Sequence, residues 1–408
     1  MVKLHRETQK IVITGIGAIA SNGIGKDAFF NAIMQGHSGI GPIASFDACA
    51  YESKTAAEIK DFDPTVFLGQ KGLRTLDRST KLITSTAKLA LDDAGFTVTE
   101  ENTHDVGVVV GSTFGSLPSI CEFDKEALRE GPQYVNPALF PNTVINSPSS
   151  HVSIKFNIKG FNTTIATGAN ASLDGLAYAC EFLRRNRAKA VLVGGVEEFC
   201  PHIFLGFYKQ GCLARKSQEA PETSFPFDLR RNGVVLGEGA CVLLLEKVED
   251  AQHRQGQIYA EVSGNGMGFG EKSLSAAMQK AFAEAHVAAE NIDGVFAAAN
   301  SSVAADIKEA SALRQVFGEA ISRTCVTALK SVIGETFSAA GMLQVAAACA
   351  SLIQQKIPAT LNYQQEDPEC QLPIVIDSAR SRKLEHILVD SLNFDSRAAS
   401  TVVSRYAV

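Results

Sequence analysis

The sequence predicts an α/β protein in which helices and buried sheets are stacked in layers. Two observations carry that prediction. Amphipathic helical stretches alternate with short, wholly apolar runs of strand length. The second half also repeats the plan of the first: "TCVTALKSVIGETFSAAGMLQVAAACASLIQQKIPAT" (324–360) mirrors "TTIATGANASLDGLAYACEFLRRNRAKAVLVGG" (163–195). Each has a strand, a Gly-containing turn, an Ala-rich helix and a basic exit. Ala-rich helices let backbones approach closely, which suits the buried centre of an α/β/α/β/α stack. The 408 residues exceed one ordinary core. The division is placed near residue 256, giving an N-terminal half, 1–255, and a C-terminal half, 256–408.

The elements follow in order. Ile11–Thr14 reads as a first strand entering a turn at Gly15-Ile16-Gly17. Basic residues precede it, as in a secretory signal, but the run is short, β-branched and broken by two glycines. Residues 25–36 read as a helix closed by Gly36, and 79–94 as a helix with Ser79 as its N-cap and Gly95 as its stop. "VGVVVGS" (106–112) and "AVLVGG" (190–195) are buried strands. A strand opens "ACVLLLEKVEDAQHR" (240–254), and another begins at 258. His151, in "NSPSSHVSIKF", is expected just before a helix, in a structural role.

Composition excludes several function classes. A net charge of −6 does not favour a nucleic-acid partner. No run of about 18 apolar residues exists, so no membrane span is expected. The nine cysteines are scattered, with no CxxC or zinc spacing, and most lie in apolar surroundings. Free thiols in a reducing, cytoplasmic setting are the expectation.

The strand–turn–helix corner at 163–172 is of the kind that mounts a nucleophile, yet the residue at its centre is Ala169. With "IVITGIGAIASNGIGKDAFFNAIMQGHSGI", "FPFDLRRNGVVLGEGACVLLLE", "ADIKEASALRQVFG" and "ALKSVIGETFSAAGMLQ", the chain resembles, end to end, a β-ketoacyl synthase of the thiolase-like superfamily. That resemblance implies the duplicated thiolase-like α/β/α/β/α five-layer fold. It also implies a Cys nucleophile activated at a helix N-terminus, two histidines and a backbone oxyanion hole. Acyl chains would arrive on the phosphopantetheine of an acyl carrier protein, with no other cofactor and no metal.

Laid over that pattern, the chain lacks every reacting group. Ala169 stands at the Cys position, Ala298 at the first His and Glu335 at the second. Lys330, Asp306 and Glu309 are retained, and the resemblance implies that the Lys pairs with carboxylates as scaffold. The family's terminal Gly- and Phe-rich loop reads Asn393-Phe394-Asp395-Ser396-Arg397-Ala398 here, which puts its gating and its oxyanion-hole amide in doubt. Cys180 lies about 16 Å down the helix from Ala169, at roughly 1.5 Å per residue, and cannot substitute. Glu335 and Arg397 both depart from the pattern with opposite charges, so they are expected to pair and fill the vacated pocket.

The resemblance is greatest to the chain-length factor of type II polyketide synthases, the inactive partner of an active ketosynthase. It departs from that group too, because Gln commonly stands where Ala169 is. The implied partners are an active ketosynthase, as a heterodimer, and an acyl carrier protein. Phe114, Leu117, Cys121 and Leu139 are expected to line the acyl tunnel at the interface, although all four also suit a plain core. Two other readings stay open: a condensing enzyme with an unrecognised nucleophile, and a repurposed, self-associating scaffold.

Overall fold

A computed structural model describes residues 9–407. Ten principal strands form one sheet. They are β1 (Ile11–Ala20), β2 (Val106–Gly111), β3 (Asn162–Ile165), β4 (Ala190–Glu197), β5 (Gly239–Lys247), β6 (Ala260–Phe269), β7 (Gly294–Phe296), β8 (Cys325–Thr327), β9 (His386–Leu392) and β10 (Arg397–Ser404). A two-residue strand, Gly23–Ile24, pairs with β1 as an eleventh. The order is β8-β7-β9-β10-β6-β1-β5-β4-β2-β3.

The duplication is written into that order. Ranked within its own half, each set of five strands runs 3-2-4-5-1. The senses also match: β2 is parallel to β3 and β4 and the rest of that half antiparallel, as β7 is to β8 and β9. The halves join where Ile11–Ile13 of β1 pairs with Ala260–Val262 of β6.

The principal helices are α1 (Lys26–Gln35), α2 (Arg78–Asp93), α3 (Leu117–Glu130), α4 (Ser147–Phe156), α5 (Ala171–Arg184), α6 (Pro201–Lys209), α7 (Ser273–Ala285), α8 (Val303–Phe317) and α9 (Ser338–Gln354). Helix α2 packs on β1 and β5, and α7 on β6 and β10, as outer layers. Helices α5 and α9 pack on each other and on strands of both halves, forming the middle layer. The result is the thiolase-like five-layer α/β architecture. The middle position explains the Ala-rich sequence: Ser338–Leu352 is buried throughout. At Gly341 an added Cβ would stand 2.7 Å from the Leu173 side chain, so only glycine lets α9 meet α5 there. Strands covered on both faces read as nearly continuous apolar runs, as β1 does apart from Thr14 and β4 does up to Glu197.

Two local expectations are corrected. The N-cap of α2 is Asp77, whose carboxylate accepts the Thr80 N–H at 2.6 Å, whereas Ser79 lies inside the first turn. His151 lies within α4 and not before it, because Asn146 is already its cap. Helix α1 ends as expected, with Gly36 in the left-handed conformation at φ 70°.

Candidate active site

The corner after β3 is built as the sequence suggests. The strand ends at Ile165, Gly168 turns the chain at φ 77°, and α5 begins at Ala171. Ala169 is 2% exposed, so its methyl faces packed protein. Ser391 of β9 and Asn393, just beyond its end, fasten the corner. The Ser391 hydroxyl donates to the Ala169 carbonyl (3.2 Å) and to Asn170 Oδ1 (2.8 Å). Asn393 Oδ1 accepts the Ala169 N–H at 3.2 Å.

The loop after β7 carries Ala298. Its N–H donates to Glu309 Oε1 at 2.7 Å, and the Asn300 N–H donates to Asp306 Oδ1 at 3.1 Å. Asp306 and Glu309, three apart on α8, thus staple this loop from one helix face. Burial pushes Asp306 up to about 6, opposed by the Phe227 N–H it accepts and by Arg231. Burial drives Glu309 well above the usual carboxylate range, and Asp390 adds to the rise. Burial likewise pushes Asp390 up to about 7, against one hydrogen bond from Ser400.

Glu335 meets a different partner from the one expected. Its Oε2 accepts Lys330 Nζ and Asn300 Nδ2, each at 2.8 Å, and its Oε1 accepts the Phe337 N–H at 2.8 Å. Lys330 and Glu335 are both essentially inaccessible to solvent. Lys330 therefore pairs with a carboxylate, but with Glu335 directly and with Asp306 and Glu309 only through its field. The expected Glu335–Arg397 pair does not form. Arg397 Nε lies 3.1 Å from Asp395, with both side chains 46% exposed. The four-residue turn 393–396 between β9 and β10 aims Arg397 outward, and the nearest carboxylate is on the same turn. An exposed pair of this kind contributes little. Arg397→Ala is expected to change the unfolding free energy measured in urea by no more than about 1 kcal/mol.

Where Glu335 caps the chain, Phe337 adopts φ 45°, ψ −117°, a conformation costing about 1–3 kcal/mol for a bulky residue. Its ring meets Phe114 edge-on (5.0 Å between centroids) and Phe207 at a tilt (5.2 Å), and Phe394 packs on Phe207 at 5.6 Å. Phe114 and Leu117 thus belong to one apolar cluster beside the site. Cys121 is half-buried one turn further along α3. Leu139 is half-buried in the segment Pro137–Thr143, which packs on α3. Sequence reasoning missed Phe207, Phe337, Gln344 and Asp390. Gln344 Nε2 donates to the Ala297 carbonyl at 2.8 Å and lies 3.2 Å from that of Phe296. Phe337 and Gln344 lie within the stretch 328–344, whose pattern gives no sign of these contacts, and Phe207 and Asp390 lie outside every segment that carries the resemblance.

Among the described residues no hydrogen bond to Ala169, Ala298 or Glu335 comes from a histidine, and no cluster of three or more His, Cys, Asp or Glu suits a metal ion. Burial pushes the Cys180 thiol up to about 12, which makes it a poor thiolate. No helix among the described residues is long and apolar enough to cross a membrane. The corner after β3 thus carries a methyl group at Ala169, the loop after β7 another at Ala298, and the Glu335 carboxylate is paired with Lys330.

The chain is 32% identical to the 3-oxoacyl-[acyl-carrier-protein] synthase 2 of Coxiella burnetii, over 98% of this chain and 99% of that one. It is 30% identical to a putative polyketide beta-ketoacyl synthase 1 of Streptomyces halstedii, over 97% of this chain and 98% of that one. Among solved structures, the ishigamide ketosynthase/chain length factor superposes with a TM-score of 0.91 at 28% identity, covering 98% of this chain and 100% of that one. The β-ketoacyl synthase N-terminal domain matches residues 8–251 and the C-terminal domain residues 259–364, and the chain belongs to the β-ketoacyl synthase family.

Proposed function

We propose that this chain is the non-catalytic partner of an active ketosynthase, a chain-length factor that bounds the growing acyl chain at the heterodimer interface. The observation that carries the reading is the joint loss at the corner and its two loops. The methyl side chains of Ala169 and Ala298 offer no lone pair, and the Glu335 carboxylate is engaged by Lys330, Asn300 and the Phe337 N–H. Acyl transfer needs an activated nucleophile and groups that stabilise the developing charge. The scaffold is intact, so its retained value lies in assembly.

The surface supports a partner. Strand β3 ends the sheet order, leaving one edge open to strand addition. Nearby in the chain, Leu128, Tyr134, Phe140, Val144 and Ile145 are exposed apolar side chains, an unusual concentration for a free surface. The relatives' names, an acyl-carrier-protein synthase and a ketosynthase/chain length factor, suggest the same partner classes for this chain.

Co-expression with an intact ketosynthase and a carrier protein tests the proposal. Native mass should give a one-to-one heterodimer, and product analysis a defined chain length. Phe114→Ala should lengthen the product and Cys121→Phe shorten it. A homodimer that ignores the ketosynthase would sink the reading and favour a self-associating scaffold. Acyl groups attached to the purified chain alone would favour a condensing enzyme instead.

A further inference from the structure

The turn between β9 and β10 bends back over the corner, and its first residue does something the scaffold alone does not require. Asn393 Oδ1 accepts the Ala169 N–H at 3.2 Å. That amide opens the helical segment and points where a carbonyl oxygen would be received at an acyl-transfer corner. The rest of Asn393 is held as firmly. Its Nδ2 donates to Asp395 Oδ1 at 2.7 Å, and Asp395 is in turn paired with Arg397 at 3.1 Å. Phe394, the next residue, anchors the turn from the other side through Phe207. The contact is close: a Cβ added at Gly168 would fall 2.6 Å from both Asn393 Oδ1 and Nδ2. Outside the turn lies a cavity of about 220 Å³ lined by Asn300, Ser302, Lys308, Asn393, Phe394 and Ser396. Asn393 lines that cavity and also binds the Ala169 amide, so it stands between the two.

We propose that Asn393 is an internal occupant of the corner: its side-chain carbonyl takes the amide that a thioester carbonyl would need. The 393–396 turn is then a latch that excludes carrier-borne thioesters from Ala169. The latch rests on the geometry of this chain and needs no partner, so it stands or falls apart from the pairing proposed above.

A cysteine reporter tests it. In the Ala169→Cys chain, alkylation by iodoacetamide and by N-ethylmaleimide is followed by intact mass. Adding Asn393→Ala should speed alkylation roughly tenfold, the ratio that loss of one net hydrogen bond of about 1.4 kcal/mol gives. Asp395→Ala, which frees Asn393 Nδ2, should give a smaller gain in the same direction. The native cysteines are corrected for by labelling the chain without the reporter. If the reporter variant does not fold, hydrogen exchange of the segment 167–171 in Asn393→Ala alone supplies the same readout, with faster exchange expected. Equal alkylation rates with and without Asn393, or unchanged exchange at 167–171, would overturn the proposal.

Discussion

Replacing Glu335 with alanine is expected to cost about 3–5 kcal/mol of stability, the usual penalty for leaving one buried charge without its partner. Lys330 is 2% exposed and its ammonium has Glu335 at 2.8 Å as its ion-pair partner. The same substitution strips acceptors from Asn300 Nδ2 and from the Phe337 N–H. Each stranded buried donor adds its own desolvation cost. Lys330→Met should be milder, because Glu335 keeps two donors. The double variant Glu335→Leu with Lys330→Met should recover much of the loss, since apolar replacements of a buried pair are often neutral or better. Urea unfolding of the parent and the three variants makes the comparison. A Glu335→Ala chain within about 1 kcal/mol of the parent would show that the pair is solvated and carries no such weight.

Asn at position 390 is expected to stabilise the protein, and more so at pH 8 than at pH 4. Asp390 is fully buried on β9. Its Oδ1 accepts the Ser400 hydroxyl at 2.5 Å, and its Oδ2 has no hydrogen-bond partner among the described residues. The charged group coupled to it from a packed element is Glu309 on α8, a like charge when ionised. Burial raises Asp390 to about 7, against an ordinary value near 4. The sign follows. Below pH 4 both folded and unfolded forms hold the proton and Asp390 has no pH-linked cost. Between about 4 and 7 the unfolded chain ionises while the folded one stays protonated, so stability falls as pH rises. Above about 7 the whole cost is present. Asp390→Asn removes it, by an amount on the order of 2–4 kcal/mol at pH 8. Denaturation midpoints at pH 4, 6 and 8 measure the difference. A gap between variant and parent that is constant across pH would rule the account out.

Both expectations concern residues whose importance was unevenly legible. Glu335 stood out in the sequence, because a Lys-Ser-x-x-Gly run leads straight to it. Its partner did not. Opposite charge pointed to Arg397, whereas the backbone turn at Gly334 brings Glu335 back onto Lys330, five residues earlier. Asp390 gave no signal at all: one acidic residue in an apolar strand reads the same whether its side chain meets solvent or the packed interior. Asn393 was visible as a departure from the family loop, but not as a ligand of the Ala169 amide 224 residues away in the chain.

The sequence by itself determined the layered α/β class and the internal duplication. These are properties of residue type and period, and burial imposes them directly on composition: covered strands must be apolar, and helices between sheets must be small. Tertiary structure alone decided which charges meet, which amide Asn393 occupies and which aromatic rings clamp Phe337. Those contacts join loops from different layers, and their energies depend on ångström distances and on exclusion of water. Neither quantity is encoded in the local pattern of a chain before its layers close.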